Sequence, residues 1–333
     1  MTEWWHSPKF AGALCGTMSD RERLGLPECF FPCRFDDIGE TWRRLAGLDR
    51  AELCAIVEDR ASCLADRYAA GNLLALLGDP RIDPASPRML DIPGGEVEIG
   101  LDQAEVDAVM ERFSGLGLDR KWILKECPSH RVLLGNYRMA KYPVTNFEYR
   151  IFLEQTGHSE IPDSWAFRRY PQERSNHPVF TVSAQSADAY ARWLSGQTGR
   201  RLRLPTEAEW EHAAAGPDRF EFPWGNEFLA DRCNTLETGI LSTTPVGMFL
   251  EGNSPFGIAD MAGNVEEYVS DDYHSYPGGE FVSDHLVEKN GNYRVARGGG
   301  FARMRDLART RRRHGHNPAS KTYAMGFRLA EDC

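Results

Sequence analysis

No stretch of the 333 residues approaches the roughly 18 consecutive apolar residues that a membrane-spanning helix requires. The start, Met1-Thr2-Glu3-Trp4-Trp5-His6, lacks the basic-then-apolar layout of a secretory leader. The eight cysteines are scattered, and a chain this long needs no disulfide framework. Cys29 and Cys33 have no second pair and no histidines at ligand spacing, which disfavours zinc. Basic residues are in deficit, 39 against 49 acidic, and the net charge of −10 argues against a general nucleic-acid binder. Internal repeats and low-complexity segments are also missing. With 41% hydrophobic and 26% charged residues, a folded globular chain remains, expected in the cytoplasm with reduced thiols and without membrane or nucleic-acid partners.

Two parts read differently. Residues 1–86 hold helical stretches, best seen in Leu45–Leu77, which Gly78-Asp79-Pro80 stops. Asp83-Pro84-Ala85-Ser86-Pro87 reads as a linker, so the second part spans 87–333. There, Met89–Gly100 alternates around Pro93-Gly94-Gly95 and reads as a hairpin. Thr145-Asn146-Phe147-Glu148 and Thr206-Glu207-Ala208-Glu209 are capping boxes that open helices, the first ending at Gly157 and the second at Gly216-Pro217. Ser183 starts another helix, running to about Gly199. Beyond Pro217 the chain is rich in glycine, asparagine and aromatics, so its backbone needs side chains, water or ions to satisfy its polar groups.

An ordered set of motifs then stands out. Arg203-Leu204-Pro205-Thr206-Glu207-Ala208-Glu209-Trp210-Glu211 is followed by Pro223-Trp224-Gly225, then by Asn253–Val265 with its Gly263-Asn264-Val265. Arg297-Gly298-Gly299 and Gly326-Phe327-Arg328 complete the set, and Tyr142–Asn146 and His177-Pro178-Val179 fit the same pattern. Over about residues 88–330 the sequence resembles the formylglycine-generating enzyme (sulfatase-modifying factor) family, whose fold is related to C-type lectins. The resemblance implies an irregular α+β domain, low in regular secondary structure, preceded here by a small helical segment. Ala69–Arg81, just before Met89–Gly95, looks like the lead-in of such domains in bacterial multidomain proteins. That family contains copper oxidases, iron sulfoxide synthases and non-catalytic binders, so fold alone does not give function.

The resemblance also says where metals would sit. The copper enzymes use two thiolates, and soft sulfur suits copper(I); the matching positions here are Arg303 and Ala308, with Cys333 lying beyond the motif. The tryptophan usual after Gly-Asn-Val is Glu266, and the asparagine usual before Gly-Phe-Arg is Ala324. The iron relatives take two histidines from a helical domain, whereas residues 1–86 hold only His6. His314 and His316 are the best remaining candidates for a redox metal, with a third ligand from His130, His177 or a carboxylate. Neighbouring cations oppose that site, and His130 and His177 read as structural, so iron and copper are disfavoured. Structural calcium is the expected cofactor, because the family holds it with hard oxygen ligands. Asp260 and Glu267 map onto one site with the carbonyls of Gly263 and Val265. Asn234, Thr235 and Ile240 map onto a second, where the expected aspartate is Thr238 and Glu237 is the available substitute.

From Arg297 to Arg313 there are seven arginines and one acid, Asp306. If the tract is a strand, Arg303, Arg305, Arg309, Arg311 and Arg313 share one face and offer bidentate recognition of carboxylate, sulfate or phosphate. Arg303, Arg305, Arg309, Arg311, Glu266, His314 and His316 are therefore the candidate ligand residues. The competing expectation is that the arginines pair with acids such as Asp260, Glu266 and Asp271 in the interior. Two functions follow: a non-copper family member that recognises an anionic small molecule or acidic peptide, with a possible protein partner for residues 1–86, or an oxygen-dependent oxidase or oxygenase of an amino-acid-like or peptide substrate.

Overall fold

A computed structural model describes residues 20–316 and 324–333. The chain begins with four helices: α1 (Asp20–Arg23), α2 (Gly39–Leu45), α3 (Arg50–Glu58) and α4 (Leu64–Leu77). Asp49 and Glu52 form a capping box that starts α3. Leu45, Leu53, Val57, Ala69, Ala70 and Leu74 close a small apolar core. Burial of each leucine or valine stabilises it by about 1.5–3 kcal/mol.

This helical segment is fastened to the rest of the chain through α4. A Cβ on Gly71 would lie 2.7 Å from the Pro245 ring, so only glycine allows the approach. Asn176 Nδ2 donates to the Gly71 carbonyl at 2.9 Å, and the Ser175 hydroxyl donates to that of Ala75. His177 sits between Thr243 and Asn72. The segment expected to be a linker is a turn in which the Ser86 amide donates to Asp83, and just before it the buried Arg81–Asp79 pair is tied to the Val246 carbonyl. One face of the segment proposed as a partner surface is thus covered by the chain's own domain.

The larger part is α+β. Its elements are β1 (Met89–Ile92), β2 (Gly95–Ile99), α5 (Val106–Arg112), α6 (Arg120–Leu124), β3 (His130–Leu134), β4 (Tyr137–Ala140), α7 (Asn146–Thr156) and α8 (Ala184–Thr198). There follow β5 (Leu202–Arg203), α9 (Glu207–Ala215), β6 (Glu266–Asp272), α10 (His285–Asn290), β7 (Arg294–Arg297), β8 (His314–Gly315), β9 (Met325–Phe327) and β10 (Ala330–Asp332). One sheet has the order β1-β4-β10-β5, a second β8-β7-β6-β9, and β2 pairs with β3 in a third. The hairpin expected at Met89–Gly100 is therefore corrected. Pro93-Gly94 carries the chain from one sheet to another, because Asn136 fixes the Gly94 amide and a Cβ there would meet the Gly135 backbone at 2.3 Å.

Thr145 and Thr206 form the expected capping boxes, and Ser183 caps α8. Glycines in the left-handed region end α7 at Gly157 and α8 at Gly199. The α7–α8 core contains Tyr149, Phe152, Tyr190, Leu194 and Phe327; a second core gathers around Trp210, Tyr137 and Met139. Between α9 and β6 the chain makes turns and single 3₁₀ turns. No helix among the described residues is long and apolar enough to cross a membrane.

Candidate functional site

The arginine tract is not a strand. Residues 301–311 form consecutive turns, and only His314–Gly315 enter a sheet, as β8. A shared face by residue parity is thereby corrected, and the tract divides in two.

Its second half is buried. Arg309 is fully enclosed, with its guanidinium held by both oxygens of Glu126 at 2.9 Å and by Glu221. Arg311 reaches Glu221 at 3.4 Å, Arg312 lies 3.6 Å from Asp306, and Arg313 makes a bidentate pair with Glu207 at 2.7 and 2.8 Å. Arg297 pairs with Glu211, and Lys125 with Asp284 at 2.6 Å. Six buried cations (Lys125, Arg297, Arg309, Arg311, Arg312, Arg313) thus meet six buried carboxylates (Glu126, Glu207, Glu211, Glu221, Asp284, Asp306). Burial pulls the Lys125 ammonium down to about 8, and neighbouring Arg312 adds to the effect. Arg309 and Arg311, expected to line a cleft, belong to this core. Their partners are not Asp260 or Asp271: Asp271 instead accepts the Glu207 amide, at the start of α9. The overlooked signal was Glu207 and Glu211, one helical turn apart on α9.

The first half opens to the surface. Arg303 Nε donates to Glu266 Oε1 at 2.9 Å, and His314 Nδ1 meets Glu266 Oε2 at 2.5 Å, so β6, β8 and the turn at Arg303 bring three of the expected ligand residues together. Burial raises the Glu266 carboxyl, but His314 and Arg303 more than reverse this and hold it at about 2. Burial lowers His314 to about 4, against the pull of Glu266. The Nδ1 contact with Glu266 fixes the orientation of the His314 ring. His316 is half-buried, and burial lowers it as well, while Glu266 and Arg303 act on it through space. Phe301 and Phe180 stand edge-on at 5.6 Å beside this group. Arg305 turns away, with 30% of its side chain exposed, towards Glu237 at 3.5 Å and the Phe228 ring.

The positions of the copper thiolates hold Arg303 and Ala308, and Ala308 is fully buried in an apolar cluster. Burial pushes the Cys127 thiol up to about 12 and also raises that of Cys233. Among the described residues no group of three or more His, Cys, Asp or Glu side chains is placed to hold a metal ion. His130 Nδ1 lies 3.1 Å from the Pro128 carbonyl and its ring packs on Tyr276, while burial holds His177 at about 3.

The two calcium-type sets differ. Both Glu267 oxygens accept from Arg328, at 2.5 and 2.6 Å, and Trp210 Nε1 adds a bond at 2.8 Å. Asp260 accepts the Gly247 amide at 2.7 Å, and burial pushes its carboxyl up to about 6. Gly263, with φ 80°, packs so closely on Asn234 that a Cβ would lie 2.4 Å from its carbonyl oxygen, and Val265 follows two residues later, fully buried. In the other set, Asn234 Oδ1, Thr235 Oγ1 and Glu237 Oε2 are buried without hydrogen-bond partners among the described residues, beside buried Ile240. Glu237 Oε1 is fixed by the Arg305 amide at 2.9 Å, and the Leu236 amide donates to the Arg303 carbonyl.

An irregular α+β domain with a buried arginine–glutamate core, in which Arg303 and Ala308 stand at the expected thiolate positions, defines a member of the formylglycine-generating fold. The family model described as a sulfatase-modifying factor enzyme 1-like domain matches residues 78–333, and the chain belongs to that family. It is 30% identical to a protein named serine/threonine-protein kinase pkn1 from Chlamydia pneumoniae over 76% of this chain, and 32% identical to the hercynine oxygenase of Mycolicibacterium smegmatis over 72%. The chain spans only 39% and 60% of the lengths of these two relatives. Among solved structures, PvdO from Pseudomonas aeruginosa superposes with a TM-score of 0.58 at 26% identity, covering 75% of this chain and 95% of PvdO.

Proposed function

We propose that this chain is a recognition member of the family, which binds an anionic small molecule or acidic peptide at the Arg303–Glu266–His314 site. The observation that carries this reading is the exchange of the paired thiolates for Arg303 and a buried alanine. A guanidinium held in place by Glu266 presents a fixed positive charge that suits an acidic group on a ligand. Recognition now rests on Arg303, His314 and His316 rather than on an arginine-lined face, since Arg309 and Arg311 are enclosed. Free thiols at the described cysteines suit a reducing, cytoplasmic setting.

Calcium is the ion that family membership implies. The Asn234, Thr235, Glu237 and Ile240 loop fits it best, because three buried side-chain oxygens there lack hydrogen-bond partners among the described residues and hard oxygen donors suit this ion. The Asp260, Gly263, Val265 and Glu267 set fits less well, because Arg328 already neutralises Glu267. Among the described residues no cluster of histidines, thiolates or carboxylates suits iron or copper.

The hercynine oxygenase relative favours a second reading, oxygen-dependent oxidation of an amino-acid-like or peptide substrate. One experiment separates the two. Protein purified without chelator is assayed for metal content, for oxygen uptake and for oxidation of a sulfatase-type cysteine peptide with added copper. The recognition reading expects calcium alone and peptide conversion at the copper-free background. Stoichiometric iron or copper with oxygen uptake would replace it with the oxygenase reading.

A further inference from the structure

The phenyl ring of Phe167 is 96% exposed. Phe167 and Arg168 both lie in the left-handed region, with φ of 56° and 57°, and Thr181, with φ of 58°, closes the same loop. Non-glycine residues are disfavoured there, and such strain gathers where a segment meets a ligand.

The base of the loop is rigid. Trp165 is buried and its indole donates to Asn146 Oδ1 at 2.7 Å; Tyr170 packs edge-on against Trp165 and lies under the Arg150 guanidinium. Ser164 is bonded to the Phe180 carbonyl and the Thr181 hydroxyl. Phe180 in turn meets Phe301, next to Gly300, which packs on the Glu266 backbone. A fixed path therefore joins the exposed tip to the recessed site. Arg168 and Arg169, exposed at the tip, have no ion-pair partner among the described residues; the acids nearest in sequence, Asp163 and Glu173, are exposed too.

We propose that the tip of this loop, residues 164–170, is the outer lip of the Arg303–Glu266–His314 site and takes an acidic peptide segment carrying an apolar side chain. Phe167 packs on the apolar group while Arg168 and Arg169 meet carboxylates. The inference rests on the recognition reading above. It deepens that reading because an aromatic tip flanked by two guanidiniums, outside a recessed charged site, matches side chains of both kinds spread along one chain.

The test is fluorescence anisotropy of the full chain with a labelled peptide of alternating glutamate and leucine, against one of alternating lysine and leucine. The acidic peptide should bind, and Phe167→Ala, or Arg168→Ala with Arg169→Ala, should each weaken it about tenfold or more at unchanged melting temperature. Phe167→Gly should weaken binding yet raise the melting temperature, since glycine accepts the left-handed backbone. No binding of the acidic peptide, or binding insensitive to the loop variants, overturns the lip even if Arg303→Ala abolishes affinity. Loss with the loop variants but not with Arg303→Ala keeps the lip and removes the site reading. Phe167-dependent uptake by phosphatidylserine vesicles in place of the peptide would also overturn the proposal.

Discussion

Arg305 and Arg309 lie one turn of chain apart and carry the same side chain, yet they do opposite work. Arg309 is sealed between two glutamates, whereas Arg305 leaves 30% of its side chain exposed beside a single one. The difference lies in the acids around them. Where α9 and the 220–222 turn present glutamates to the tract, guanidinium groups become part of the core; where they do not, the groups stay within reach of solvent. Local charge density therefore says little about a binding face until the positions of the opposite charges are known. Removing one member of a sealed pair leaves a buried charge uncompensated, which an exposed pair never does.

The largest effect should come from breaking the sealed half. Arg309→Ala is expected to cost about 3–5 kcal/mol, because Glu126 and Glu221 are left together in the interior. Urea denaturation measures it, and a loss under 1 kcal/mol would remove the distinction between the halves. Next is the ion loop beneath the open half. Calcium at a hundred times its dissociation constant should add roughly 2.7 kcal/mol. A chelator should therefore lower the melting temperature of the parent and of Glu267→Gln but not of Glu237→Gln; the reverse pattern would move the ion to Asp260 and Glu267.

A buried acid without a cation sharpens the same contrast. Glu148 is bonded to Thr145 in the α7 cap, and burial pushes its carboxyl from 4.5 up to about 7. A carboxyl raised on folding stabilises fully below its unfolded pKa and loses that contribution as pH rises through the folded value. The parent should thus lose stability between about pH 4.5 and 7 relative to Glu148→Gln, by an amount on the order of a few kcal/mol. Parallel melting curves for the two proteins across that window would count against it. The smallest effect is expected at Arg305: its guanidinium meets Glu237 only at 3.5 Å, and the buried Glu237 keeps its bond from the Arg305 amide, so urea denaturation of Arg305→Ala should show a loss of about 1 kcal/mol.

Much of the fold was legible because its signals are local. Thr145, Ser183 and Thr206 announce helix starts in the two or three residues that follow, and Gly157 and Gly199 mark the ends. Met89–Gly100 misled because its two apolar runs are real strands whose partners, β4 and β3, lie some forty residues away, and alternation does not encode the partner. The same limit governed the site. Glu266 could be paired with the tract by its place in a motif, and Arg303 and His314 do converge on it. Glu126, by contrast, lies 183 residues from Arg309 and carries no pattern of its own. Asp260 and Glu267 were placed at one ion by the family resemblance, whereas the structure gives Glu267 a cation partner, Arg328 from the Gly-Phe-Arg motif.

The seam along α4 has a consequence for anyone dividing this chain. The family match begins at residue 78, after the helix whose carbonyls at Gly71 and Ala75 receive Asn176 and Ser175. A fragment cut at that boundary would strip Phe35, Leu64 and Tyr68 from Met248, now fully enclosed, and strand the polar groups of 175–177 in a surface they were never shaped to face. The smallest piece that behaves as a molecule is therefore longer than the homologous domain, and expression boundaries are better drawn ahead of α2 than at the edge of the family match.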